Sequence, residues 1–275
     1  MNICVRSNMK IHRTVMLPGG LCLFVFLLTS CNSASVRKGD AETVEFSVKR
    51  VEFKDSLQGE DGASYYSTSI DLPVSGPDTL VSNIKNWIND ELGGEYKGEI
   101  DCDTMMMRQY AQDFFKNEID IAFPGSGSEC SINKVAETDQ YVSYETDGYA
   151  YTGGAHGMPF RRGVTFCKQN GQQFAWNLFL DGSQLPDMVR NAIVTQYFEG
   201  DEERFKDLTQ VMIRDGEQFP LPQTAPWLLD DSVMFVYQAY EIAPYVAGQP
   251  NCRIAIKDLV SFFSDDAKTM LIRTE

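Results

Sequence analysis

The residues best suited to chemistry lie in one short segment, residues 151–157, which reads YTGGAHG. The segment holds three glycines and His156, which is the only histidine after residue 30 of the sequence. Near neutral pH a histidine can transfer protons or bind a metal ion. Paired glycines permit positive φ angles, and alternating strand residues precede the segment. The pattern therefore predicts a tight connection between two strands.

His156 lacks the sequence partners that a catalytic histidine needs. A nucleophilic triad requires a serine or cysteine and an orienting acid, yet no G-x-S-x-G motif or catalytic-cysteine signature occurs. A catalytic zinc site usually takes two or three histidines. We therefore predict no catalytic residue, no metal site and no cofactor, and we expect the His156 ring to hydrogen-bond across its turn. Carboxylates are abundant, so a glycosidase-like acid pair stays open.

A second informative stretch covers residues 236–248 and reads VYQAYEIAPYVAG. Alternation through Glu241 predicts a strand. Its tyrosines could form an aromatic, polar-tipped surface for sugar or protein recognition, or they could pack into the core. We expect Tyr237 to be buried and leave both alternatives open for the other two. The candidate binding residues are Tyr151, His156, Tyr240, Glu241 and Tyr245.

Residues 1–30 have the pattern of a bacterial lipoprotein signal peptide. A basic region is followed by the apolar run LCLFVFLL, which is too short for a spanning helix. The last leucine of this run, Thr29 and Ser30 directly precede Cys31. This pattern predicts cleavage before Cys31 and lipidation of that residue; an uncleaved anchor or a plain signal peptide is the alternative. Residues 31–42 would tether the fold to a bacterial membrane, facing the periplasm or the cell surface.

The chain is strongly acidic. The whole sequence has a net charge of −15, and removal of residues 1–30, which hold three basic residues and no acidic residue, gives −18. Such a charge argues against nucleic acid or an anionic membrane surface as a partner. It is compatible with a cationic partner, and it would also serve simply to keep an exported protein soluble.

Four cysteines lie beyond Cys31, namely Cys102, Cys130, Cys167 and Cys252. In an oxidising compartment an even number is compatible with one or two disulfides, but four cysteines allow three complete pairings. Buried free thiols are the other reading, and the sequence does not choose between them.

Strand and helix patterns are mixed without regular βαβ alternation. This predicts an α+β fold with mainly antiparallel sheets and packed helices, in two small modules at residues 43–130 and 131–275. Helices are expected at residues 79–92, capped by Asp78, and at residues 103–123. The dipeptide Asn170-Gly171 predicts a hairpin, and the chain should end with a short helix and a last strand.

The two motifs together carry a family resemblance. YTGGAHG, an aromatic-rich segment with a helix, and YEIAPYVAG about eighty residues later resemble the C-terminal domain of RsiV-type lysozyme-sensing anti-sigma factors. The same domain of unknown function occurs in bacterial lipoproteins and beside the catalytic domain of PdaC-type peptidoglycan deacetylases. The resemblance covers about residues 140–263, and residues 43–130 resemble the companion domain often found before it.

The resemblance implies an extracytoplasmic binding module, which binds lysozyme in RsiV-type proteins. Neither a sigma-binding segment with a spanning helix nor a deacetylase domain with metal-binding histidines is recognisable here, so those activities are not expected. We expect a lipid-anchored envelope protein that binds a lysozyme-like muramidase or the peptidoglycan glycan. A peptidoglycan hydrolase or deacetylase, and a structural assembly factor, are the alternatives.

Overall fold

The computed structural model describes most of the chain after the predicted tether. The described residues are 45–59, 62–101, 104–118, 125–180, 184–214 and 216–271. The signal peptide, the lipidation residue Cys31, the tether and Cys102 lie outside them, so those predictions stay predictions. No helix in the described ranges is long and apolar enough to cross a membrane.

A six-stranded sheet forms the centre of the fold, and its strands lie side by side in chain order. Neighbouring strands are antiparallel except β2 and β3, which run parallel. The strands are β1 (Ser47–Gln58), β2 (Ala63–Ser75), β3 (Gly127–Glu137), β4 (Tyr141–Tyr151), β5 (Met158–Cys167) and β6 (Gln173–Phe174). Because β6 pairs only with Thr165 and Phe166, no strand among the described residues pairs with the rest of the outer edge of β5.

Two helices connect β2 to β3, namely α1 (Asp78–Glu91) and α2 (Met105–Glu118). The prediction for α1 was right within one residue at each end, although the predicted cap was wrong. The described part of α2 lies inside the predicted range, and the predicted end at residues 119–123 lies outside the described residues. Pro77 occupies the N-cap position and no side chain caps the helix, so Asp78 lies in the first turn instead. A carboxylate there still favours the helix, because the free N–H groups of the first turn carry partial positive charge.

The chain after β6 builds a second layer around a three-stranded antiparallel sheet. Its elements are α3 (Leu185–Gln196), α4 (Glu202–Thr209), β7 (Trp227–Leu229), β8 (Ser232–Val236), β9 (Asn251–Ala255), α5 (Ile256–Leu259) and α6 (Asp265–Leu271). The prediction of a last strand was wrong, because that segment is the helix α6. The strand β7 was not predicted, since prolines dominate the sequence before it.

The described residues have two hydrophobic cores, and the predicted α+β fold with two modules is confirmed. The two cores lie on opposite faces of β4, because its side chains alternate between the faces. Val142 and Tyr144 pack into one core, and Tyr141 packs into the other. The middle of the six-stranded sheet is therefore buried on both faces. The predicted module boundary between residues 130 and 131 lies inside β3.

Close contacts fasten β7 to the six-stranded sheet. The Trp227 ring lies against Gly163 of β5, where a Cβ atom would come within 2.2 Å of the indole Cδ2. The Leu228 N–H donates to the Thr165 hydroxyl at 2.9 Å, and the Tyr141 hydroxyl donates to the Asp230 carbonyl at 2.7 Å. Glycine at position 163 is therefore required by packing, because any side chain would displace the buried tryptophan.

The described cysteines are buried free thiols. Cys130, Cys167 and Cys252 form no disulfide with one another. Burial raises the pKa of the Cys130 and Cys252 thiols to about 12. For these three residues the structure agrees with the free-thiol alternative.

Candidate functional site

Residues 152–157 connect β4 to β5, and this connection is as tight as the glycine pattern predicted. Gly153 and Gly154 have φ angles of 108° and 91°, which side chains disfavour. Gly157 is needed for another reason, because a Cβ atom there would lie 2.4 Å from Cζ of Tyr149. The Gly157 N–H donates to the Tyr149 hydroxyl at 2.9 Å, so this tyrosine shapes the loop.

The His156 ring is held by contacts from three sides. Its Nδ1 lies 3.0 Å from the Gly157 carbonyl and its Nε2 lies 3.0 Å from the Tyr240 hydroxyl. The ring stacks on Tyr245 with centroids 3.7 Å apart and an interplanar angle of 18°. Because a carbonyl oxygen only accepts, we assign the proton of the neutral ring to Nδ1, and the Tyr240 hydroxyl then donates to Nε2.

The partners of His156 come from the second motif, 84 residues further along the chain. The strand predicted through Glu241 was wrong there: β8 ends at Val236, and the backbone turns away from the sheet. Tyr240 has a φ angle of +69°, and a 3-10 turn covers Tyr245–Ala247. This left-handed conformation, rare for a bulky residue, directs Tyr240 to the histidine.

Glu241 has a structural position. Its carboxylate accepts the N–H groups of Gln238 at 2.7 Å and Gln223 at 2.5 Å. Both carboxylate oxygens are therefore used within the fold. The structure places Glu241 in the support of the turn and not beside the His156 ring.

Two tyrosines of β4 complete the surroundings of the loop. The Tyr151 hydroxyl donates to the Gly154 carbonyl at 3.0 Å and braces the loop from its start. Tyr149 was not singled out from the sequence, where it reads as an ordinary strand residue. Desolvation raises the pKa of the Tyr245 phenol, and the neighbouring Tyr149 and Tyr240 phenols raise it further.

We call Tyr149, His156, Tyr240 and Tyr245 the aromatic patch. Tyr149 and Tyr240 are 37% and 44% exposed, so the patch is open to solvent. Val246, which directly follows Tyr245 in the chain, is an apolar side chain that is 83% exposed. Aromatic faces with hydroxyl tips can stack on an apolar surface while donating hydrogen bonds, which suits recognition of a protein or a sugar.

Beyond the exposed Val246 lies an acidic groove beside α4, with a volume of about 480 Å³. It is lined by three carboxylates, those of Asp201, Glu203 and Asp207, and by one guanidinium, that of Arg204. Val246 itself lines this groove and directly follows Tyr245. The aromatic patch therefore has an acidic neighbour.

A second groove, of about 590 Å³, follows the open edge of β5 and is closed in part by Gln238. The Gln238 carboxamide accepts the Arg161 N–H at 3.2 Å and donates to the Arg161 carbonyl at 2.7 Å. It also donates to the Thr224 hydroxyl at 2.8 Å and accepts from the Gln249 side chain at 2.9 Å. One side chain thus occupies the backbone groups that an added strand would use.

The arrangement around His156 offers few means for catalysis. Its hydrogen-bond and ring contacts are the Gly157 carbonyl, Tyr240 and Tyr245, with no carboxylate among them. Within the described ranges, no three His, Cys, Asp or Glu side chains are grouped so that they could hold a metal ion. The geometry is that of a fixed surface whose polar atoms are largely satisfied.

Two family models match segments of this chain, and each matched segment contains residues of the aromatic patch. Residues 60–159 match a family model described as Deacetylase PdaC, and residues 177–257 match one described as Protein of unknown function (DUF3298). The predicted family relationship is confirmed. The PdaC match contains His156 and the DUF3298 match contains Tyr240 and Tyr245, so the aromatic patch forms where the two matched segments meet.

Solved structures of the DUF3298 family share the fold. One from Bacteroides fragilis has a TM-score of 0.67 at 18% identity, covering 82% of this chain and 96% of its own. Another from Pseudomonas aeruginosa has a TM-score of 0.58 at 17% identity, covering 81% and 96%. No curated protein matches the chain significantly. The PdaC and DUF3298 matches indicate a cell-envelope-associated protein with an extracytoplasmic location.

Proposed function

We propose that this protein binds a cationic, lysozyme-like muramidase at the cell envelope and that the aromatic patch is the centre of the contact. In this proposal lipidated Cys31 attaches the chain to the membrane, and residues 31–42 let the folded part reach its partner. The activity is recognition and not turnover.

The observation that carries the proposal is the position of the aromatic patch next to the acidic groove. Protein interfaces concentrate their binding energy in tyrosine-rich centres surrounded by a polar rim. Tyr240 and Tyr245 supply such a centre, and Asp201, Glu203 and Asp207 supply a negative rim. The family resemblance supports the same partner class.

Charge favours a muramidase over the glycan. Peptidoglycan carries carboxylates on its muramic acid residues and stem peptides, which the acidic groove would repel. A basic protein would be attracted by the same groove and by the net charge of the chain, which is −15 for the whole sequence. Complementary charge raises the association rate and makes it sensitive to salt.

Calorimetric titration of the full chain with a cationic lysozyme at low and high salt tests the proposal. Tyr245→Ala should weaken binding roughly thirtyfold, since it removes the ring that stacks on His156 at the centre of the patch. Replacing Glu203 and Asp207 by their amides should weaken binding at low salt and reduce the salt dependence of Kd. Glu52→Gln is the matched control, because Glu52 is an exposed acid on β1, at the opposite edge of the sheet.

Absence of lysozyme binding by the native chain would overturn the proposal, as would unchanged binding by Tyr245→Ala. Peptidoglycan fragments form the second arm: binding to them alone would replace the muramidase by the glycan. Turnover of those fragments that is lost in His156→Ala would instead indicate an enzyme.

A further inference from the structure

A separate cavity lies at the other end of β4 and β5, far from the aromatic patch. It is lined by residues just before β1, in the β3–β4 turn, in the β5–β6 hairpin and on α6, and its volume is about 630 Å³. Ten residue steps separate the two ends of β4, which is about 33 Å of extended chain. The cavity is therefore independent of the proposed muramidase contact.

The floor of the cavity is apolar. Phe46, Phe174 and Met270 line it, and each is less than 10% exposed. These side chains are fixed in the two cores of the fold, so the floor is built before any ligand arrives. Ligand sites for small molecules have this volume and combine an apolar lining with a few polar groups.

The rim of the cavity is negative. Glu45, Asp139 and Asp266 contribute carboxylates. Asp266 accepts one long hydrogen bond, 3.4 Å, from Gln172. For the Glu45 and Asp139 carboxylates, the described part of the chain supplies no hydrogen bond or ion pair. As far as the described residues go, both carboxylates are available to a ligand.

The lysine on the rim, Lys168, offsets only part of this negative charge. Lys168 donates to the Glu137 carboxylate at 2.7 Å and to the Thr138 carbonyl at 3.0 Å. Lys134 donates to the other oxygen of the same carboxylate. Burial raises the pKa of Glu137, but the hydrogen bonds from Lys134 and Lys168 outweigh it and the pKa is lowered. Because the two lysines share one carboxylate, they leave one positive charge, and their Nζ atoms lie 5.8 and 5.9 Å from the Phe46 ring centroid. The three rim carboxylates outnumber this charge, so the rim stays negative on balance.

We propose that this cavity binds a small organic cation with an apolar body, such as an aryl or alkyl amine. The apolar group would cover Phe46, Phe174 and Met270, and the ammonium group would lie among the rim carboxylates. An uncharged or anionic molecule of the same shape would gain the apolar contact but lack the attraction to Asp139 and Asp266. The cavity therefore selects for charge as well as shape.

Titration of the full chain with 2-phenylethylamine, followed by calorimetry, tests this site. A molecule of that size should bind with a Kd of about 1 mM. 3-Phenylpropionate, which has a similar shape and the opposite charge, should bind at least tenfold more weakly. Asp139→Asn combined with Asp266→Asn should weaken amine binding about tenfold, because it removes two of the rim charges.

Asp265→Asn is the matched control. It removes one acidic charge from the same turn of α6, but Asp265 does not line the cavity. Thr269→Trp tests the volume, because an indole at this exposed rim position should block entry without disturbing the floor. Lysozyme binding should be unchanged in all these variants, which separates this site from the aromatic patch.

Three results would overturn the inference: no amine binding up to about 10 mM, equal affinity for amine and carboxylate, or undiminished amine binding by Thr269→Trp. Loss of amine binding in Asp265→Asn to the same extent as in the double variant would also count against it, since the effect would then be one of overall charge.

Discussion

Replacing Gln238 by methionine removes a carboxamide that joins the turn after β8 to the edge of β5, while it keeps a side chain of similar length. Four hydrogen bonds disappear: two with the Arg161 backbone, one with Thr224 and one with Gln249. A hydrogen bond contributes about 1 kcal/mol net, and a buried partner left without one adds a further desolvation penalty. Gln238 is only partly buried, so water can replace some of these bonds. We therefore expect the free energy of unfolding to fall by about 2–4 kcal/mol.

Urea unfolding followed by circular dichroism measures this change from the midpoint and the slope. Gln112→Met is the matched control, because Gln112 is exposed on α2 and should change stability by less than about 0.5 kcal/mol. The Gln238 variant should also self-associate more at high concentration, since the Arg161 N–H and carbonyl become available to another strand. A loss no larger than that of the control would show that the carboxamide does not hold the two sheets together.

Three further outcomes follow from contacts described above. Gly163→Ala should lower the free energy of unfolding by about 1–3 kcal/mol, because its Cβ would lie 2.2 Å from the Trp227 ring; the loss should shrink in a Trp227→Leu background, and strictly additive losses in the double variant would contradict the packing argument. Stability should decline as the pH rises from about 9 to about 12, because the folded Cys130 and Cys252 thiols, with pKa raised from 9.0 to about 12, keep protons that the unfolded thiols release. The pKa difference between the folded and unfolded states corresponds to on the order of 4 kcal/mol of stability for each thiol. Urea midpoints that do not change over this pH range would refute this expectation. Tyr149→Phe should lower stability by about 1 kcal/mol and weaken lysozyme binding, because the loop N–H loses its acceptor; a variant with native binding would place Tyr149 outside the contact.

Local patterns in the sequence predicted much of the fold, and the failures have physical causes. The alternating residues before the YTGGAHG segment correctly indicated β4, because a strand with defined faces has period two. The short strand β7 was not predicted because three prolines precede or border it. Burial of the Trp227 side chain offsets the cost of the irregular backbone there. Alternation past Val236 was misleading, since the side chains continue the pattern while the backbone turns.

The site was predicted in part. The sequence pointed to His156 together with Tyr240 and Tyr245, and the structure brings these three rings together. Glu241 was expected on the same surface. Its carboxylate instead accepts two backbone N–H groups, because these donors lie within hydrogen-bond distance of it in the folded turn. Tyr149 gave no signal of its own, and only the pairing of β4 with β5 places it beside the loop.

The parallel pairing of β2 with β3 has a consequence for how the chain folds. The hairpin of β1 and β2 closes over a short turn, but β3 reaches β2 only after about fifty residues that include α1 and α2. Long connections delay the contacts between the segments that they join. The pairing of β2 with β3 should therefore form later than any other strand pairing in this sheet, and until then one edge of β2 stays unpaired. During that interval two nascent chains can join edge to edge. The lifetime of this intermediate, and not the final stability, should decide how much of the protein is recovered when it is refolded at high concentration.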